Sequence, residues 1–469
     1  MVLPRVQLVY GDHVSREYIM HHRIVSILRQ FQKAPAKQLD RPEIIEACHQ
    51  VNHTWRNRLL DPVAIIHLFL TQILHGNTAI NHLVRISGLS FTASAYCQAR
   101  SRLPLALFHE LLRRVAERIR PRMDETGTWH GHRVFVADGS SFSMPDVPEL
   151  QKHFGQPSVQ RPGCGFPVAH LLALFHVGTG MLAEVLTAPL CTHDMSGMAQ
   201  IHPKLENGDI LLGDRGLCSF AHLALLLARG AHSVFRIHQR QIVDFTPHRV
   251  HARPSQKKGT KGLPHSRWVR GLGATDQVVA WLKPRQRPEW MTAAQYASLP
   301  DELIVRELRY RIGRAGFRVR QVTLVTTLVD AESYPLEDLA KLYRRRWEVE
   351  GHLRSLKTTM KMDVLRCETV VGVSKELLMF ALVYNLVRLV MLEASHRQNV
   401  PVERISFVDA LRWLTEARPG ATLPNLVINP DRADRVEPRA RKRRPKQYPL
   451  MKKPRSELHN SLLNPRVAA

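Results

Sequence analysis

Apolar positions recur at helical intervals through residues 1 to about 125. The clearest run, Val63, Ile65, Ile66, Leu68, Leu70, Ile73 and Leu74, follows Asp61-Pro62. That pair suits the N-cap and first-turn positions of a helix, and Gly76-Asn77 stops it. The stretches TAINHLVRISG and TASAYCQARSRL predict two short helices around a turn at Gly88, the second capped by Thr92. They have the outline of a helix-turn-helix with Ser94, Gln98, Arg100 and Arg102 facing outward. An ordinary helical hairpin fits the same pattern.

At 133–138 the pattern switches to RVFVAD, a short buried strand. Val168 to Val177 and Met181 to Leu186 flank Gly178-Thr179-Gly180 and predict a hairpin. Strands follow at 209–213 (DILLG) and 233–237 (SVFRI), with a helix at 219–229 between them. This succession predicts an α/β core. From about 238 to 321 the core pattern gives way to short alternating runs, QIVDF, SRWVRG, QVVAWL and ELIVRELRYRI, which predict a β-rich insertion. A buried-strand pattern returns at 322–328, and helices are expected at about 335–362, 374–396 and 402–417.

The expected fold class is therefore multidomain α/β, in five segments. These are a helical DNA-binding domain (1–125), the first part of the core (126–237), the insertion (238–321), the second part of the core with C-terminal helices (322–420), and a tail (421–469) expected to be largely disordered.

Composition narrows the class. At 469 residues, 44% hydrophobic and 23% charged, the chain is of ordinary globular make-up. Wholesale disorder, a collagenous fibre and a disulfide scaffold are excluded. The six cysteines show no CxxC or zinc spacing and suit reduced, mostly buried thiols of a cytosolic protein. No signal peptide is expected from MVLPRVQLVYGDHVSR. The apolar stretch Leu377 to Leu392 holds Asn385 and Arg388 and is read as a buried helix rather than a membrane span.

Charge adds a partner. Lys and Arg number 67 against 41 Asp and Glu, a net +26. Residues 235–328 carry 18 basic against 6 acidic side chains, and 439–455 carry nine basic and none acidic. Two such concentrations in one chain point to nucleic acid.

Candidate chemistry begins with two aspartates. Asp138 ends VFVAD and Asp214 ends ILLGD, positions where open α/β sheets place sites and where aspartates also cap loops. In KLYRRRWEVEGHLRSLKTTM, a turn of ~100° per residue puts Leu342, Val349, Leu353, Leu356 and Met360 on one stripe. Tyr343, Arg346, Glu350 and Lys357 share an adjoining stripe. An exposed face with i,i+4 ion pairs has the same geometry.

The spacing Y-x2-R-x3-E-x6-K, with Trp347 after the arginine, resembles the YREK signature of the insertion-sequence-four family of DDE transposases. ADGSSFSMPD and GDRG resemble that family's aspartate motifs, in the same order, and the basic insertion stands before the glutamate as it does in the family. The resemblance covers about 130–365. It implies an RNase H-like mixed-sheet core interrupted by a β domain. It also implies that Asp138, Asp214 and Glu350 are catalytic and bind two Mg2+ (or Mn2+) ions. Hard divalent cations suit carboxylate oxygens, and paired metals can activate a nucleophile and stabilise a leaving oxygen.

By the same resemblance Tyr343, Arg346 and Lys357 hold a DNA phosphate and Trp347 stands beside the active site. A tryptophan of the insertion stacks on a flipped base; Trp268 is the choice, with Trp281 and Trp290 as rivals. Asp146, Asp194 and Asp209 are rival carboxylates, and His193-Asp194 is read as part of a loop. The expected activity is cutting of transposon ends and joining of their 3′-hydroxyls to target DNA. The expected partners are double-stranded DNA and a second copy of the chain, in the bacterial cytoplasm at the nucleoid. An RNase H-like nuclease without strand transfer and a non-catalytic DNA-binding protein are the rival readings.

Overall fold

The computed structural model describes residues 39–157, 161, 163–190, 194–251, 262–312, 321–418, 421–430 and 453–463. Two compact units interleave along the chain: Met1–Arg122, Phe142–His153 and Leu353–Asp431 make one, and Met123–Ser141, Phe154–His352 and Arg432–Ala469 the other.

The first unit is helical. Asp61 caps the Pro62–Leu74 helix, its Oδ1 accepting the Ala64 N–H at 2.8 Å, and twelve of the thirteen residues are buried. The Ile80–Ser87 helix ends at Gly88, which takes φ +67°, a conformation that glycine adopts without penalty. Thr92 then caps Ala93–Arg102 by accepting the Ala95 N–H. The long helix Val370–Gln398 is apolar enough to cross a membrane, but its apolar stretch is buried within the protein, as Asn385 and Arg388 suggested. Five of its polar side chains, Lys375, Glu376, Asn385, Arg388 and Glu393, are buried as well. The predicted C-terminal helix at 402–417 resolves into a short 3-10 turn at Val402–Arg404 and the helix Phe407–Glu416.

The second unit is built on a nine-stranded sheet, numbered in chain order: β1 (Val134–Ser143), β2 (Val168–His176), β3 (Leu182–Pro189), β4 (Ile210–Gly213), β5 (His232–Arg236), β6 (His265–Gly273), β7 (Asp276–Leu282), β8 (Glu302–Arg311) and β9 (Gln321–Thr326). The order is β3-β2-β1-β4-β5-β9-β8-β7-β6. The ladders β1–β4 and β4–β5 are parallel, whereas β2–β3, β5–β9, β9–β8, β8–β7 and β7–β6 are antiparallel.

Strand β9 joins two halves. It pairs with β5 on one side and β8 on the other, so the strands of the basic segment extend the core sheet. One hydrophobic cluster accordingly includes Phe135, Leu211 and Phe235 together with Val279, Trp281 and Val305.

Two expectations require correction. QIVDF (241–245) forms no strand. Asp244 Oδ1 instead accepts the Thr246 N–H and hydroxyl, and the Asp244 carbonyl is taken by Arg249 and Gln277 side chains, so the backbone there turns. Within the tail expected to be disordered stands a helix, Arg455–Leu463. Residues 431–452, which hold most of the second basic run, lie outside the described residues. No disulfide occurs among the described residues. Cys48, Cys164, Cys218 and Cys367 are buried thiols and Cys97 is exposed.

Two buried histidines make this unit sensitive to acid. Burial pushes the His176 pKa down to about 3 and the His202 pKa to about 4. Both rings are therefore neutral when folded, whereas the unfolded chain takes up protons near pH 6.5. Stability is full above pH 6.5 and falls as pH drops towards 4, by about 1.4 kcal/mol per pH unit per group. Urea unfolding at pH 7 and pH 5 should show a clearly lower midpoint at pH 5. An unchanged midpoint would contradict the neutral burial of these rings.

Candidate active site

The parallel ladders set the two aspartates side by side. Val136 of β1 pairs with Leu212 of β4, and Asp138 and Asp214 each stand two residues further on. Residues two apart on a strand share a face, so both carboxylates rise from the same face. Asp214 stands just past the end of β4, whereas β1 runs on beyond Asp138 to Ser143, so the strand end expected at Asp138 lies five residues later. Val134 to Ala137 are buried before Asp138, which is half-buried.

Asp138 Oδ1 accepts the Gly139 N–H at 2.9 Å, and its Oδ2 lies 4.0 Å from Arg346 Nη1. Burial raises the Asp138 pKa most. The Gly139 N–H and the Arg346 charge oppose that rise, while Asp214 and Glu350 reinforce it. Asp138 thus senses both other carboxylates of the predicted triad.

Asp214 is held by its own turn, with Oδ1 accepting the N–H groups of Gly216 (2.7 Å) and Leu217 (3.3 Å). Gly213, before it, has no room for a side chain, because a Cβ would lie 2.8 Å from two Phe235 ring carbons. Glu350, in the Glu348–Arg354 helix, is exposed and forms no hydrogen bond or ion pair with any described residue.

The segment carrying the YREK residues is not one uniform helix. It runs from the α-helix Leu336–Arg344 through a 3-10 turn at Arg345–Trp347, the α-helix Glu348–Arg354 and a π turn at Ser355–Thr359. The expected core stripe, Leu342, Val349, Leu353, Leu356 and Met360, is buried throughout. Tyr343 is buried, and its hydroxyl donates to the Gly213 carbonyl at 3.3 Å. Its burial raises the phenol pKa, so the hydroxyl keeps its proton.

Arg346 is 8% exposed, and its buried Nε has no hydrogen-bond partner. Its guanidinium lies 4.5 Å over the Trp347 ring and 5.9 Å from that of Tyr343. Trp347 is 52% exposed and so is not a core residue. Lys357 lies in the π turn and belongs to the other unit.

One arginine was overlooked in the sequence. Gly213 pairs with Phe235, so Arg236 stands level with Asp214 on the next parallel strand. It is half-buried and forms no hydrogen bond or ion pair with any described residue. Burial lowers its pKa, and the like charges of Arg215 and Arg346 add to the effect. The available signal was SVFRI itself, an apolar strand that ends in a charge as VFVAD and ILLGD do.

Other predicted residues fall as follows. Trp281 is 1% exposed and donates to Glu307, so it is core. Trp290 stacks on His222 at 4.6 Å. Trp268 is half-buried on β6, with its ring 4.5 Å from that of His248. Asp209 is buried and paired with Arg133 at 2.8 Å, which removes it as a rival. Asp146 accepts from Gln151 in the first unit. His193 and the side chain of Asp194 lie outside the described residues.

Arg100 does not face outward as expected. Its guanidinium lies 4.6 Å over Phe69 and donates to Gln72 and Cys367, because the aromatic face and these acceptors reward turning inward. Arg102 is exposed.

The carboxylates fit a hard cation by donor type. Among the described residues, however, no three His, Cys, Asp or Glu side chains are gathered tightly enough to hold an ion. Two carboxylates sit on adjacent parallel strands, one within β1 and one just past β4, and the third is carried by a helix.

Asp138 thus lies on the sheet beside Asp214 and within electrostatic reach of the helical Glu350. The sequence profile of the family described as "Transposase DDE domain" matches residues 129–386, more than half of the chain, and the chain belongs to that family. It is 25% identical over 386 residues to "Transposase InsG for insertion sequence element IS4" of Escherichia coli (strain K12), covering 77% of this chain and 78% of that one. It is 28% identical over 188 residues to "Putative transposase InsZ" of the same strain, covering 40% of this chain and 56% of that one. A solved piggyBac transposase synaptic complex with hairpin DNA aligns over 87% of this chain and 80% of its own, at 10% identity and a TM-score of 0.36, too slight a likeness to carry an argument. Membership makes the chain a DNA transposase and implies use of a divalent metal.

Proposed function

We propose that this transposase cuts the ends of its element and joins their 3′-hydroxyls to target DNA, as a homodimer on paired ends, in the bacterial cytoplasm at the nucleoid. The observation that carries the reading is that Asp138 and Asp214 each stand two residues beyond the paired Val136 and Leu212 of the parallel β1–β4 ladder, with the Glu350 charge felt at Asp138. The strand order β3-β2-β1-β4-β5, with β1, β4 and β5 parallel, supports an RNase H-like core.

Asp138, Asp214 and Glu350 would hold two Mg2+ or Mn2+ ions. When bound, such ions supply Lewis acidity to the attacking and leaving oxygens of a phosphodiester. Glu350, exposed and unpaired, is the ligand with most freedom to close on them. Arg346 partly neutralises Asp138 and holds an unused donor at Nε, which suits a DNA phosphate beside the carboxylates. Tyr343 ties the YREK segment to the end of β4 through Gly213. Trp347 offers an exposed ring to a base, and Lys357 and Trp268 are assigned to DNA by family resemblance.

The test is a joining assay with pre-cut element ends, target duplex and Mg2+. Joined product is expected; cleavage without joining would favour a plain nuclease. Arg236→Gln should lower the rate of cleavage on the order of 10²-fold, the cost of one missing donor to developing charge, with duplex affinity nearly unchanged. A wild-type rate in this variant would remove Arg236 from the site.

A further inference from the structure

We infer that a basic groove in the helical unit, formed by the His53–Leu60 loop and the end of the Ala93–Arg102 helix, seats the phosphate backbone of duplex DNA. This rests on the reading of the chain as a DNA transposase and adds a surface that the YREK motif does not include.

The groove has a volume of about 670 Å3, and its walls include Trp55, Arg56, Arg58 and Arg102 but no carboxylate. The three arginines are exposed and form no hydrogen bond or ion pair with any described residue. Other arginines of the same unit behave differently. Arg113 pairs with Glu110 and Glu117, Arg114 with Glu43, Glu46 and Glu110, and Arg41 with Asp61. Among the described residues, acidic partners are therefore plentiful in this unit and absent from this groove.

Arg102 also suits the helix C-terminus on which it sits. Arg56 and Arg58, in a loop, have no such role. Trp55 keeps that loop in place: its ring is 6.0 Å from His53, nearly parallel at 22°, and 5.4 Å from His49 of the preceding helix. Three unpaired guanidinium groups around one concavity, on a loop braced by an aromatic stack, match a row of phosphates better than a single small anion.

The test measures duplex-DNA affinity against salt for the full-length wild type, Arg56→Gln/Arg58→Gln, Arg102→Gln and the control Arg412→Gln. Arg412 is exposed on another helix of the unit. Losing two phosphate contacts should flatten the plot of log affinity against log salt by roughly 1.8 and weaken binding at least about tenfold at low salt. Arg102→Gln should flatten the plot by about half as much, and Arg412→Gln should leave it unchanged. The substituted side chains are exposed, and unfolding midpoints equal to wild type would confirm intact folds.

If the wild type binds and cuts DNA while the double variant keeps its slope and affinity, the groove is not a DNA seat. A wild type that fails to bind duplex DNA at all would overturn the functional reading as well.

Discussion

Asp138→Asn and Glu350→Gln should each lower end cleavage about a thousandfold or more while leaving duplex binding intact. Metal-borne Lewis acidity is worth several kcal/mol to phosphoryl transfer, and ~4 kcal/mol corresponds to a factor of about a thousand. Either amide keeps the shape of the side chain and removes its charge, so the loss reports on metal holding and not on packing. Asp138 is the more revealing position. Burial and the two neighbouring carboxylates favour its protonated form, and the Gly139 N–H and Arg346 oppose that. Replacing the charge removes an anion that the protein stabilises only in part, so the fold itself should tolerate the change. Single-turnover cleavage with labelled element ends, in Mg2+ and then Mn2+, measures the effect. Cleavage that persists in either variant at more than a tenth of the wild-type rate would place the chemistry elsewhere.

Arg306→Met should destabilise the second unit by about 3–5 kcal/mol, the usual consequence of stranding a buried charge. Arg306 is 1% exposed; its Nε donates to Asp276 Oδ1 at 2.8 Å and its Nη1 to the Tyr334 carbonyl at 2.7 Å. Without it, Asp276, 6% exposed, keeps a buried carboxylate with no cation. Arg306→Met with Asp276→Leu should recover much of the loss, because an apolar pair of similar volume replaces a buried ion pair at little net cost. Denaturant unfolding of the single and double variants gives both values. Equal stability of wild type and Arg306→Met would show that the pair carries no weight.

Arg306 also qualifies the charge argument. The 18 basic residues of 235–328 pointed to DNA, yet several of them hold the sheet together. Arg249 donates to the Asp244 carbonyl and to Ser266, Arg309 lies 4.9 Å over Phe245, and Lys283 donates to the Leu299 carbonyl. Net charge records how many basic residues a segment has and not where they point, and among the described residues of this segment these four are committed to its own fold.

The same distinction explains what was legible beforehand. The two aspartates could be picked out because an apolar run that stops at a charge marks the limit of burial, although it does not mark the end of β1, which runs on to Ser143. The YREK residues could be read from spacing, and the buried stripe followed from periodicity alone. The changes from α to 3-10 to π within that segment could not, because they depend on packing partners far away in the chain. Nor could the merging of the basic strands with the core sheet, since a strand's neighbours are fixed by tertiary pairing. Arg100 turned inward for the same reason: its aromatic and polar partners, Phe69, Gln72 and Cys367, are distant in sequence.

The ladder between β1 and β4 has a consequence for genetics. Asp138 and Asp214 each follow the register pair Val136 and Leu212 by two residues, so a change that slides these strands together preserves the gap between the two carboxylates. Glu350 rides on a separate helix, and any shift there alters its distance to both at once. Suppressors of damage to that helix should therefore arise in residues that reseat it, such as Tyr343 on the preceding helix, and rarely within the strands that carry the aspartates.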